Sequence, residues 1–194
     1  DRSDVALAIL QGGEYKAAGR RNTTHDREMM TPLPDDSERS AGVLGLEDFA
    51  RALANGARLI GIDVGSKTLG LALSDVTRTI ASGLDTLLRH KFAADAARLL
   101  ALAAKHGVGG FVIGLPFNLD GSEGPRAQAT RAFARNLTRL TPLPMLFWDE
   151  RLSTAAAERV LLEADASRKR RAQVIDKVAA TLILQSALDR MKRL

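Results

Sequence analysis

Two apolar runs, Arg58-Leu59-Ile60-Gly61-Ile62-Asp63-Val64-Gly65 and Thr68-Leu69-Gly70-Leu71-Ala72-Leu73-Ser74-Asp75, are joined by a short glycine-containing turn. Strand-like runs so closely linked signal a β-hairpin, so the sheet of this chain starts antiparallel. A third strand is predicted around Arg78–Leu87. Phe92–His106 reads as a helix with Ala96, Leu99, Leu100 and Ala103 on one stripe. Gly110–Gly114 is short, β-branched and bounded by glycine, as a buried strand is; a polar, turn-rich loop follows over 115–125, then a helix from Arg126 to about Leu140. Met145–Trp148 reads as another buried strand running into Asp149-Glu150-Arg151, and the remainder as helical, interrupted by the basic stretch Ser167–Arg171. Ahead of the hairpin, Leu46, Phe49, Ala50, Leu53 and Ala54 form a short amphipathic helix stopped at Asn55-Gly56. A hairpin sheet followed by crossover units gives an α/β protein, a mixed sheet flanked by helices.

Composition narrows the chemistry. The 194 residues are 45% hydrophobic and 26% charged, which suits one domain with a real core plus an appendage. Without cysteine there is no thiol nucleophile, iron–sulfur cluster, zinc ribbon or disulfide framework. No apolar run is long enough to span a membrane and no secretory leader is evident, so a cytoplasmic protein without membrane attachment is expected. Aromatics are only 4%, which argues against ring platforms that stack on splayed bases. Residues 1–45 hold six basic and eight acidic side chains, a net of −2, whereas 46–194 hold 22 and 15, a net of +7. A basic globular part favours a polyanionic partner. The first 45 residues lack periodicity and are rich in turn formers, so they are expected to be disordered or a non-native extension; Met29-Met30 before a Pro-rich stretch reads as the natural start.

Three carboxylates stand out of place. Asp63 lies in a segment apolar on both faces, where Asp is a poor strand former and costly to bury alone. Glu150 follows a strand's C-terminal end, where open α/β sheets place their ligands. Asp176, taken to open the last helix, shares a face with Ala179, Ala180, Ile183 and Ala187. Three acids at one sheet edge repel unless a cation lies between them; with oxygen ligands and no His or Cys cluster, one or two Mg²⁺ or Mn²⁺ ions fit. Plainer readings stand beside these: Asp176 as an N-cap, Asp149-Glu150 as a turn paired to Arg151, Asp63 in an Asx turn, and Asp75 as a fourth strand-end acid. His25, His90 and His106 have no metal spacing and read as surface residues.

The stretches Gly61-Ile62-Asp63-Val64-Gly65, Gly70–Asp75, Gly114–Ala127, Asp149–Thr154, and Ser167–Arg171 with Ile175–Ser186 resemble, in this order, the YqgF/RuvX family of bacterial proteins. The resemblance covers about residues 46–194. It implies an RNase H-like fold and a Holliday-junction-resolvase type of nuclease acting in maturation of the 5′ end of 16S rRNA precursor, with Asp63, Glu150 and Asp176 as the acids. These are the three that burial singles out. Ser153 stands where Thr is also common. Phosphodiester cleavage needs an activated water and positive charge on the non-bridging oxygens, which divalent ions between carboxylates supply without a side-chain base. Asp63 is then the central ligand, with Glu150 and Asp176 completing the set.

Arg168, Lys169, Arg170 and Arg171 are the first candidates for substrate phosphates, followed by Asn118, Arg126 and Arg151 near the same sheet end. The 114–124 loop reads equally as a plain connection. Asp63-Val64-Gly65-Ser66-Lys67-Thr68 also resembles the first phosphate loop of actin-like and sugar-kinase ATPases, but no second phosphate motif follows. Pre-16S rRNA is the favoured substrate, a four-way DNA junction the alternative, and a non-catalytic RNA-binding or transcription-associated factor the rival from another class. The protein is expected as monomer or homodimer; symmetric junction cleavage requires two sites and thus a dimer.

Overall fold

The computed structural model describes residues 42–118, 120–152 and 168–194, with side chains in the last helix described from Lys177 onward. The expected disorder before Gly42 lies outside them, as do His25 and Ser153. Among the described residues the elements are α1 (Leu46–Ala52), β1 (Arg58–Val64), β2 (Thr68–Ser74), β3 (Ala81–Leu88), α2 (Phe92–His106), β4 (Val108–Leu115), α3 (Pro125–Thr138), β5 (Met145–Asp149), a 3-10 turn (Glu150–Leu152) and α4 (Arg168–Met191). The sheet order is β3-β2-β1-β4-β5. β1, β2 and β3 pair antiparallel, whereas β4 and β5 run parallel to β1. This is the expected mixed five-stranded sheet flanked by helices.

Strand alternation divides β1 cleanly. Ile60, Ile62 and Val64 join Leu69, Leu71, Phe111 and Ile113 beneath α2 and α3, which contribute Ala96, Leu99, Phe133 and Leu137. Leu59, Ala72, Val112 and Trp148 pack on the other face against Phe49 of α1 and Ala180, Ile183, Leu184 and Ala187 of α4. The sheet is therefore enclosed on both sides, with Asp63 on the α4 face. A Cβ on Gly61 would stand 2.6 Å from the Leu184 Cβ and 2.8 Å from the Ala180 carbonyl oxygen, so glycine lets α4 lie against the central strand.

Three expectations need correction. The third strand starts at Ala81, not Arg78, because Asp75 staples the preceding turn: its carboxylate accepts Thr79 N–H at 2.7 Å, Ile80 N–H at 2.9 Å and the Thr77 hydroxyl. Those bonds hold its carboxyl below the usual range, and Asp75 belongs to the turn, not to a site. Arg78 takes a left-handed φ of 55° in that turn and donates from its guanidinium to the carbonyls of Ala54 (2.9 Å) and Ala57 (3.2 Å). The basic run Arg168–Arg171 does not interrupt the helix but begins α4, so Asp176 neither opens it nor caps it. Part of the expected extension is paired: Met145 N–H donates to Gly42 O and Leu44 N–H to Met145 O, both at 2.8 Å. No described helix is long and apolar enough to cross a membrane.

Candidate active site

The C-terminal ends of β1, β4 and β5 meet at one edge of the sheet. Asp63 sits one residue before the end of β1, paired in register with Gly70, and is half-buried. It is a ladder residue, not an Asx turn. Beside it, Ile62 pairs with Ile113, which brings Gly114 alongside Asp63 on the α4 face. A Cβ at Gly114 would lie 2.7 Å from the Glu150 Oε1, 3.2 Å from its Cγ and 2.4 Å from the Ile183 Cδ1. Glycine thus leaves open the space into which the Glu150 side chain folds back over the sheet.

The electrostatics agree with that geometry. Burial and the Asp63 charge push the Glu150 carboxyl up to about 7; nearby Arg126 opposes the shift and Asp149 adds to it. Two carboxylates so close in a partly desolvated place repel each other until a cation joins them. Oxygen donors of this kind suit a hard divalent ion. Among the described residues no cluster of three His, Cys, Asp or Glu side chains gathers around one point. Asp176 is the third acid of the sequence reading. Its backbone lies in α4 one turn before Ala180, the residue whose carbonyl faces Gly61, and its side chain is outside the described residues.

The other candidates separate. Arg126, exposed in the first turn of α3, is close enough to influence Glu150. Asn118 is in the β4–α3 loop, its amide donating to the Ser122 hydroxyl at 2.9 Å. The Arg151 guanidinium pairs with Asp149, 2.6 Å at its shortest, and lies 5.2 Å over the Phe117 ring. The plainer reading of a turn paired to Arg151 therefore holds for Asp149, while Glu150 turns into the site. Arg168–Arg171 form the first turn of α4, with side chains outside the described residues. His90 is exposed and His106 half-buried.

Sequence reasoning passed over three contributors. Gly114 reads from the sequence as a strand boundary and the start of a motif stretch, without the space it leaves for Glu150. Arg89, after β3, donates from Nη1 to Gly65 O at 2.8 Å and from its backbone to Lys67 O at 2.9 Å, bracing the turn that follows Asp63. Behind it stands Asp95, 1% exposed, which accepts the His90 N–H at 3.0 Å and lies 4.0 Å from the Arg89 Nε. The departure of Asp95 from the apolar stripe of α2 was the available signal.

Known proteins match this chain over the described domain. The family described as "RuvX: Holliday junction resolvase" matches residues 57–190. A protein of Rhodobacter capsulatus named "Putative pre-16S rRNA nuclease" is 61% identical over 150 residues, 77% of this chain and 94% of that protein. One of the same name from Paramagnetospirillum magneticum is 58% identical over 147 residues, 76% and 95% of the two chains. Among solved structures, T. thermophilus RuvC in complex with a Holliday junction substrate aligns with a TM-score of 0.49 at 17% identity, covering 70% of this chain and 96% of that one. With its profile matched across most of the length and close relatives covered almost end to end, the chain belongs to the RuvX family.

Proposed function

We propose that residues 46–194, with Gly42–Leu44 paired to β5, form a divalent-metal-dependent endonuclease that processes the 5′ end of pre-16S rRNA. The observation that carries this is the Glu150 carboxyl folded into the space Gly114 leaves open, within reach of the Asp63 charge. The close relatives' names supply the substrate. Such a substrate places the reaction in the cytoplasm.

Asp63 and Glu150, with Asp176 of α4, are the residues that would hold one or two Mg²⁺ or Mn²⁺ ions. When bound, such an ion supplies positive charge to a phosphate's non-bridging oxygens and makes water a better nucleophile near neutral pH. Asp63, on a central strand, gives the most rigid of these oxygens. Glu150 must shed its proton to serve, which its environment opposes below about pH 7. Arg126 brings a positive charge beside Glu150 that a substrate phosphate can meet. Arg168, Lys169, Arg170 and Arg171 extend the phosphate-binding surface, with Asn118 and Arg151 on the β4–α3 side.

The test is cleavage of a labelled 16S precursor leader and of a synthetic four-way junction, each with Mg²⁺, Mn²⁺ or EDTA, by wild type and Asp63→Asn. Metal-dependent cutting of the leader that the variant lacks is expected. Cutting confined to the junction would replace the substrate by structured DNA, and binding without cutting would leave a non-catalytic RNA-binding protein.

A further inference from the structure

The segment between β4 and α3 is not a slack connection. Phe117 and Glu123 form an antiparallel bridge. Within it Asn118 N–H donates to Ser122 O and Gly121 N–H to Asn118 O, both at 2.9 Å. Gly121 takes the left-handed φ of 85° that closes such a turn. The Asp120 carboxylate accepts the Ser122 N–H at 2.9 Å and its hydroxyl at 2.6 Å. A small hairpin thus stands at the edge of the sheet beside Glu150.

Two arginines fasten it there. Arg131 of α3 holds Glu123 with Nε at 2.9 Å from both carboxylate oxygens and Nη2 at 2.5 Å from one. The same guanidinium lies 4.9 Å over the ring of Phe147, so α3, the hairpin and β5 meet on one side chain. At the other foot Arg151 covers Phe117 while holding Asp149. Glu150 lies between Asp149 and Arg151, and Arg151 ties this end of β5 to the hairpin. The Arg131 pair is largely shielded, with 22% and 30% of the two side chains exposed, so solvent screens it less than the exposed ion pairs of α1.

We propose that Arg131 is a positioning residue: by clamping Glu123 and stacking on Phe147 it fixes the Phe117–Glu123 hairpin and the Glu150 end of β5 as one rigid wall against which nucleic acid is held for cleavage. The assignment rests on the nuclease reading and goes beyond it, because Arg131 is not among the residues assigned to the metal or to the substrate phosphates. A planar fork that is both bidentate and stacked has no equivalent in lysine, so Arg131→Lys should behave much like Arg131→Ala.

The experiment compares wild type, Arg131→Lys, Arg131→Ala and Glu123→Gln by steady-state cleavage of the labelled precursor leader, by the distribution of cut positions, and by hydrogen exchange. The expected result is a fall of about tenfold in kcat/KM, a spread of cuts to neighbouring phosphodiesters, and faster exchange confined to the hairpin. Glu123→Gln breaks the same pair at the more exposed partner and decides the matter if the Arg131 variants do not fold. Wild-type kinetics and cut pattern in a folded variant, or hairpin exchange that does not change, overturn the assignment. Absence of cleavage by wild type removes the nuclease reading itself, and the positioning role falls with it.

Discussion

Asp63 and Glu150 meet in one place but are held there by different means. Asp63 belongs to the central strand, bonded through the ladders to β2 and β4. The turn beyond it is closed by Gly65 N–H on Thr68 O at 3.0 Å and by Arg89 on the Gly65 carbonyl. Its position is a property of the backbone. Glu150 follows the end of an outer strand in a single 3-10 turn, and the ties around it are side-chain ties: Asp149 to Arg151, Arg151 to Phe117, Arg131 to Glu123 and Phe147. A carboxylate on a ladder moves only if the sheet moves, whereas one held by side chains shifts when any one of them is altered.

That difference separates the effects of mutations. Gly114→Ala puts a methyl where Glu150 folds back, against the flexible ends of Glu150 and Ile183. Cleavage should fall by about 100-fold in a folded protein, from misplacement of one ligand; wild-type rates would show that Glu150 need not occupy that space. Asp95→Asn acts on the other side. It weakens a buried acceptor of backbone N–H and the partner of Arg89, and should lower stability by about 2 kcal/mol in a denaturant titration. Cleavage per folded molecule should stay within about twofold, because the ladder still fixes Asp63; a larger loss would erase the contrast between the acids.

Glu150→Gln sharpens the electrostatic half of the comparison. The folded protein raises this carboxyl from 4.5 to about 7, so it binds the proton more tightly than the unfolded chain does. Its contribution to stability is therefore full at acid pH and is lost as pH rises through that window. With a discount for its partial exposure, Glu150→Gln should stabilise the metal-free protein by about 1 kcal/mol at pH 8 and by almost nothing at pH 4. Thermal melts at both values decide it, and added Mg²⁺ should favour wild type at pH 8. The smallest effect is expected away from the two carboxylates. Changing Lys169, Arg170 and Arg171 together to Ala should weaken RNA binding and reduce the slope of log affinity against log salt by at most about 2; an unchanged slope takes that turn of α4 out of the footprint.

Much of this was readable in the sequence, and the misses have physical causes. The succession of elements along the chain and the bounds of α2 follow from periodicity and turn residues, and Asp63 from its conflict with its neighbours. Arg168–Arg171 resembled a break because they carry no apolar face, although Lys and Arg are good helix formers, and that error made Asp176 look like a helix opening. The start of β3 was misplaced because the side chain of Asp75 carries the turn as far as Ile80. Gly114 and the Arg131–Glu123 pair were illegible for another reason. A glycine does not declare what fills the space it leaves, and a pair eight residues apart, from just before α3 to its second turn, matches no helical spacing rule that would reveal it.

The contact of Gly61 with Leu184 also bears on how the protein is made. The central strand emerges from the ribosome early, while the helix that covers its α4 face lies about 120 residues later. At translation speeds of roughly 5–20 residues per second, Leu59 and Ala72 wait several seconds with only α1 available to shield them. During synthesis this face is the stretch most open to chaperones and to mispairing with other nascent chains, and a stop codon before α4 would leave it uncovered for good.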